Sequence, residues 1–162
     1  MCPVNEIVIP ALQALGKPYT VVDGEIRLVS GHPPYRVSIR ELSGVPGLRV
    51  TFRPFVTTTE ETRLRVYETA LLLGWLRDSI TCGLNAETRE IEVMAELPLF
   101  EQPITTEAFT AYFQCVTQLF LLCLSSLNRA RWGRVPPEAA VWSLKLSHEL
   151  EDILEHLKWS EA

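Results

Sequence analysis

The sequence predicts an α+β fold in the order α-β-β-β-α-β-β-α, an antiparallel sheet of about five strands packed on helices, plus an extra helix at the C-terminal end. Three observations carry this. Runs with period-two alternation, such as Tyr35 to Glu41, are separated by turn-forming residues. Threonine and glutamate at capping-box spacing open segments with helical periodicity. A content of 47% hydrophobic and 22% charged residues in 162 positions is that of one globular domain with an ample core, which excludes disordered, collagen-like and fibrous classes.

Element by element, the chain opens on Val4 to Leu15, with apolar Ile7, Val8, Leu12 and Leu15 and a stop at Gly16. Pro10 is tolerated only in a first turn, so the regular helix is expected from about Ile9. Tyr19 to Val22 and Glu25 to Val29 flank Asp23-Gly24, the dipeptide suited to a tight primed hairpin turn. Tyr35 to Glu41 and Leu48 to Phe55 then form an antiparallel pair. Matching apolar to apolar sets Ile39 opposite Val50 and Val37 opposite Phe52. That register necessarily sets Arg40 opposite Arg49 and Arg36 opposite Arg53, so four arginines share one sheet face.

Thr57 with Glu60, or Thr58 with Glu61, caps the next helix, expected to run to about Leu73 with Leu64, Tyr67, Ala70, Leu71 and Gly74 as its apolar face. A second hairpin joins Ser79 to Leu84 with Arg89 to Leu97, its second arm turning Ile91, Val93, Ala95 and Leu97 inward and Glu90, Glu92 and Glu96 outward. Thr105 or Thr106 with Glu107 opens a third helix to about Leu127, uncharged over the nineteen residues from Phe109 to Leu127. That length approaches a membrane span. Thr110, Gln114, Thr117, Gln118 and Ser125 nevertheless place a polar stripe along it, which favours a core or subunit-interface helix and no membrane span. Val135-Pro136-Pro137-Glu138 begins the last helix, to about Trp159. Residues 1–134 are thus read as the α+β domain and 135–162 as a helix docking on it, one domain overall.

The order of elements resembles the type III secretion chaperone-like fold, and three stretches resemble its bacterial YbjN-like branch. These are Leu12 to Asp23 (LQALGKPYTVVD), Glu90 to Leu99 (EIEVMAELPL) and Ile104 to Phe113 (ITTEAFTAYF), in which a strand ending in Pro-Leu leads into the long helix. The resemblance covers about residues 5 to 130. It implies a compact domain, commonly a homodimer, that holds protein segments or acts by regulatory contact, with no catalytic site to carry over. The helix after Pro137 departs from the minimal pattern and could cover either the dimer surface or the client surface.

The candidate chemistry concentrates on Arg36, Arg40, Arg49 and Arg53. They can bind a carboxylate-rich protein segment or a phosphate-bearing small molecule bidentately, or they can be neutralised by Glu90, Glu92 and Glu96 or by Glu25 and Glu41. Strand order decides between these. His148, Asp152 and His156, at i, i+4 and i+8, read as a solvated helix face rather than a metal site, and His32 has no sequence partner. Cys2, Cys82, Cys115 and Cys123 show no ligand or disulfide spacing, which fits a reducing cytoplasm, and no signal peptide is evident. Trp75, Trp132, Trp142 and Trp159 are read as core or interface anchors. No phosphate loop, G-x-S-x-G or H-E-x-x-H motif occurs, and the net charge of −5 argues against a nucleic-acid coat. The resulting expectation is a cytoplasmic, non-enzymatic protein-binding, chaperone-like or regulatory protein without cofactor. A small-molecule or anion-binding regulator is the alternative.

Overall fold

A computed structural model describes residues 4–30, 34–56, 58–76, 80–85, 87–99, 104–133 and 135–141. A π-helical turn, Val4–Val8, leads into α1, Ile9–Ala14. The sheet comprises β1 (Thr20–Val22), β2 (Glu25–Ser30), β3 (Tyr35–Glu41), β4 (Gly47–Pro54), β5 (Thr81–Leu84) and β6 (Ile91–Pro98). Between β4 and β5 lies α2, Glu60–Leu76. After β6 come α3, Thr106–Trp132, and a short α4, Pro137–Ala140. The sheet is wholly antiparallel in the order β1-β2-β3-β4-β6-β5. It has six strands rather than about five, and four of them precede α2 instead of three: both arms of the expected Asp23-Gly24 hairpin are strands of the sheet, the first being the three-residue edge strand Thr20–Val22.

Local signals in the sequence are met where they are strongest. Asp23 and Gly24 both take positive φ, 52° and 78°, as a primed two-residue turn requires. Gly16, at φ 62°, ends α1. The β3–β4 register pairs Ile39 with Val50, Val37 with Phe52, Arg40 with Arg49 and Arg36 with Arg53. Period two therefore puts Ile26, Ile39, Val50 and Ala95 in one inner row, and Leu28, Val37, Phe52, Val93 and Cys82 in the next.

Helix α3 covers this inner face. Phe120 stacks on Phe52 at 4.7 Å between ring centroids and meets Tyr35 at 4.6 Å, while Phe113 continues the seam to Phe109 at 6.1 Å. Phe109, Val116, Leu119, Phe120, Cys123 and Leu127 are buried. By length and composition α3 is apolar enough to cross a membrane, and its buried apolar side chains pack against the sheet, α1 and α2. Its polar stripe is also accounted for. Gln114, Gln118 and Ser125 are exposed, whereas the Thr110 and Thr117 hydroxyls donate to the Thr106 and Phe113 carbonyls at 2.7 Å each. The helix runs to Trp132, past the expected end at Leu127, because Leu127 and Ala130 still bury on the same side.

Two expectations for α2 are corrected. Its capping residue is Thr59: the Thr62 amide donates to Thr59 Oγ1 at 3.3 Å, and the Thr59 amide donates to Thr62 Oγ1 at 3.1 Å, a reciprocal pair in which threonine replaces the usual glutamate. Its buried face is Val66, Thr69, Ala70 and Leu73, while Leu64 and Leu71 stand 67% and 56% exposed. Thr69 can be buried because its hydroxyl donates to the Arg65 carbonyl at 2.7 Å, so counting apolar residues alone selects the wrong side. Trp132 is likewise no core anchor; it is 69% exposed at the end of α3, with the Arg131 guanidinium 4.0 Å above its ring. The Trp75 side chain, Trp142 and Trp159 lie outside the described residues. Helix α4 packs against α2 and α3 with Ala140 and Val141 buried.

Gly74 lets α2 approach the edge strand β5, since a Cβ there would lie 2.7 Å from the Cys82 carbonyl oxygen. Helix propensity alone favours alanine at this position by about 1 kcal/mol. The close backbone approach reverses that sign, so Gly74→Ala is expected to destabilise by about 1–3 kcal/mol. Chemical denaturation checks this, and a variant at least as stable as the parent contradicts the contact.

Candidate binding face of the sheet

The face opposite the helices is built by the same pleat. One row runs across all six strands: Thr20, Arg27, Ser38, Thr51, Met94 and Thr81. On one side of it lies Val29-Arg36-Arg53, and on the other Arg40-Arg49-Glu96. The four arginines singled out from the sequence therefore share a face, and the strand order brings β6, with its outward glutamates, directly beside β4.

Three of the four are paired with that glutamate row. Arg49 directs Nε and Nη2 to one oxygen of Glu96, at 2.8 and 2.5 Å. Arg53 Nε donates to Glu92 Oε1 at 2.6 Å, and its Nη1 reaches Ser38 Oγ at 3.5 Å. Arg36 Nη2 pairs with Glu90, while the guanidinium lies 5.1 Å from the centre of the exposed Phe55 ring. Arg40 is exposed and has no ion-pair partner among the described residues. Like charges opposed on β3 and β4 are thus offset from the third strand.

These pairs differ in surroundings. The Glu96 side chain is 51% exposed, whereas Glu92 is 11% exposed and also accepts from Asn85 Nδ2 at 3.1 Å. Asn85 in turn accepts from the Glu87 and Thr88 amides at 3.0 Å each, which fixes the turn leading into β6.

A fifth arginine, not singled out by alternation of charge in the sequence, shares this face. Arg27, on β2, donates from Nε to Glu25 at 2.6 Å and stands in the central row. Its signal was the inward alternation of Ile26 and Leu28 around it. For Glu25, partial burial would raise the carboxyl pKa, but hydrogen bonds from Arg27 and Ser38 and the charges of Arg27 and Arg53 outweigh burial and hold it below the ordinary carboxylate value.

A cleft of about 640 Å³ opens on this face at the β1 side. Arg27, Arg36, Arg53, Glu25, Ser38 and Tyr19 are among the residues that line it. The three described cysteines are buried on the other side of the sheet or within the helical layer. Burial, and then neighbouring Cys123, push the Cys82 thiol up; burial does the same for Cys115. Neither thiol is set up as a nucleophile. Among the described residues no group of three or more His, Cys, Asp or Glu side chains is placed to hold a metal ion. His32, His148, Asp152, His156 and Cys2 lie outside the described residues.

No family model and no curated protein sequence matches the chain. Its fold is that of YbjN from E. coli, crystallised as a candidate transcription regulator, with a TM-score of 0.59 at 11% identity over 75% of this chain and 87% of that one. The HopA1-SchA chaperone-effector complex is also similar, with a TM-score of 0.48 at 10% identity over 75% of this chain and 88% of that one. The expected YbjN-like α+β fold is therefore the observed one.

Two measurements follow from this face. Removing the enclosed Glu92 leaves Arg53 and Asn85 without their acceptor, so Glu92→Ala should cost about 1–3 kcal/mol. Glu96→Ala, at a more exposed pair, should cost under about 1 kcal/mol. Equal losses in urea unfolding contradict the difference in enclosure. Because the Glu25 pKa is depressed in the folded chain, its stabilisation is complete above the unfolded carboxyl pKa and is lost as pH falls through the lower folded value. Glu25→Gln should therefore flatten the loss of stability across the acid range, and an unchanged pH profile contradicts this.

Proposed function

We propose that the chain is a non-enzymatic protein-binding domain, chaperone-like or regulatory in role, that holds an extended protein segment against the open face of its sheet. The observation that carries this reading is the cleft on that face, bordered by the exposed edge strand β1 and lined by arginine, serine and tyrosine side chains. A fold shared with YbjN is compatible with binding and assigns no reaction. Arg36, Arg40, Arg49 and Arg53 are the proposed contact residues, with Arg27 added by its position in the row.

In this reading the protein works in the cytoplasm, as a homodimer, without nucleic acid, membrane span or cofactor. The helix expected over 135–162 docks on the same domain; the contacts of α4 with α2 and α3 at the start of that segment support this. An anion-binding regulator is the second reading, favoured by the three arginines in the cleft lining.

Site-specific photo-crosslinking in the native cell tests the proposal. A crosslinking residue at Val29, in the cleft lining, is expected to yield protein adducts, and one at Leu121, on the outward side of α3, is not. Adducts absent at Val29, or equal at both positions, contradict it. Light scattering on the purified chain reads the oligomeric state, and a monomer at all concentrations removes the homodimer from the account.

A further inference from the structure

The cleft holds more hydrogen-bond donors than its own carboxylates use. Its lining contains three guanidinium groups, of Arg27, Arg36 and Arg53, and one carboxylate, of Glu25. The glutamates that pair with Arg36 and Arg53 are not part of the lining, and each engages only one end of its arginine. Glu90 takes Nη2 of Arg36, leaving a buried Nε with no acceptor. Glu92 takes Nε of Arg53, and Glu25 takes Nε of Arg27. The partly exposed guanidinium groups thus keep nitrogens that their own glutamates do not use, and these are donors to which a carboxylate from outside can bind.

The rest of the lining narrows the ligand. Pro18, Tyr19 and the exposed Val29 offer apolar surface beside the arginines. Glu25, inside the cleft, would repel a dianionic phosphate more strongly than a singly charged carboxylate. We infer that the cleft captures the carboxylate of an acidic residue flanked by an apolar side chain in an extended protein segment. Arg27, Arg36 and Arg53, which line the cleft, bind it. This inference rests on the segment-binding reading above and specifies its partner.

A peptide array probed with the full chain tests it. Each random peptide is printed in acidic form, with Glu and Asp replaced by Gln and Asn, and with phosphoserine in their place. The acidic forms should bind about tenfold more tightly than the amide forms, as loss of a charge-assisted hydrogen bond implies. That preference should disappear in the Arg27→Gln/Arg36→Gln variant, whose two substituted side chains are about half exposed, so that folding is not at risk. In Arg63→Gln/Arg129→Gln, which replaces two exposed arginines of α2 and α3, it should persist to within about threefold. Amide forms that bind as well as acidic ones overturn the inference while leaving segment binding intact, and so does a preference that survives loss of Arg27 and Arg36. Phosphoserine forms that bind best overturn the carboxylate assignment. If no peptide binds in any form, the segment-binding reading falls as well.

Discussion

The pairing of β4 with β6 is the contact on which the rest of this molecule depends. On the inner side it sets Val50 beside Ala95 and Phe52 beside Val93, completing the surface that α3 covers. On the outer side it brings Glu90, Glu92 and Glu96 within reach of Arg36, Arg53 and Arg49. With β6 elsewhere, the arginines that face each other across β3 and β4 would lack these counter-charges.

The two faces that result are unequal, and that inequality shapes the functional reading. The inner face is closed by an aromatic seam from Tyr35 through Phe52 and Phe120 to α3, with α1 and α2 flanking. The outer face relies on long charged side chains, beneath which Ser38 and Thr51 are buried with no helix above them among the described residues. Ion pairs of this kind contribute little each, but they fix where guanidinium groups point. A face of oriented arginines with spare donors is suited to recognition, and the cleft near β1 is where spare donors and apolar surface meet.

Much of this was legible in the sequence where the determinants are local. The Asp23-Gly24 turn, the Gly16 stop and the β3–β4 register follow from backbone preference and alternation within short windows. The polar stripe of α3 could likewise be read from helical spacing. Strand order could not, because the pairing of β4 with β6 joins segments about forty residues apart, and alternation specifies which side a residue faces without naming its neighbour. The buried side of α2 was misjudged because apolar residues occur around its whole circumference, and a threonine bonded to its own helix takes a core position. Arg27 was missed because a single arginine in a short strand gains meaning only beside Ser38 and Arg53.

Strand β6 holds Arg49 and Arg53 in fixed orientations while Arg40 stays solvated. Arginine side-chain NMR measures this directly through guanidinium rotation and proton exchange. Slow rotation and protected Nε protons at Arg49 and Arg53, with fast averaging at Arg40, are the predicted result. Equal, fully averaged signals from all three would contradict it.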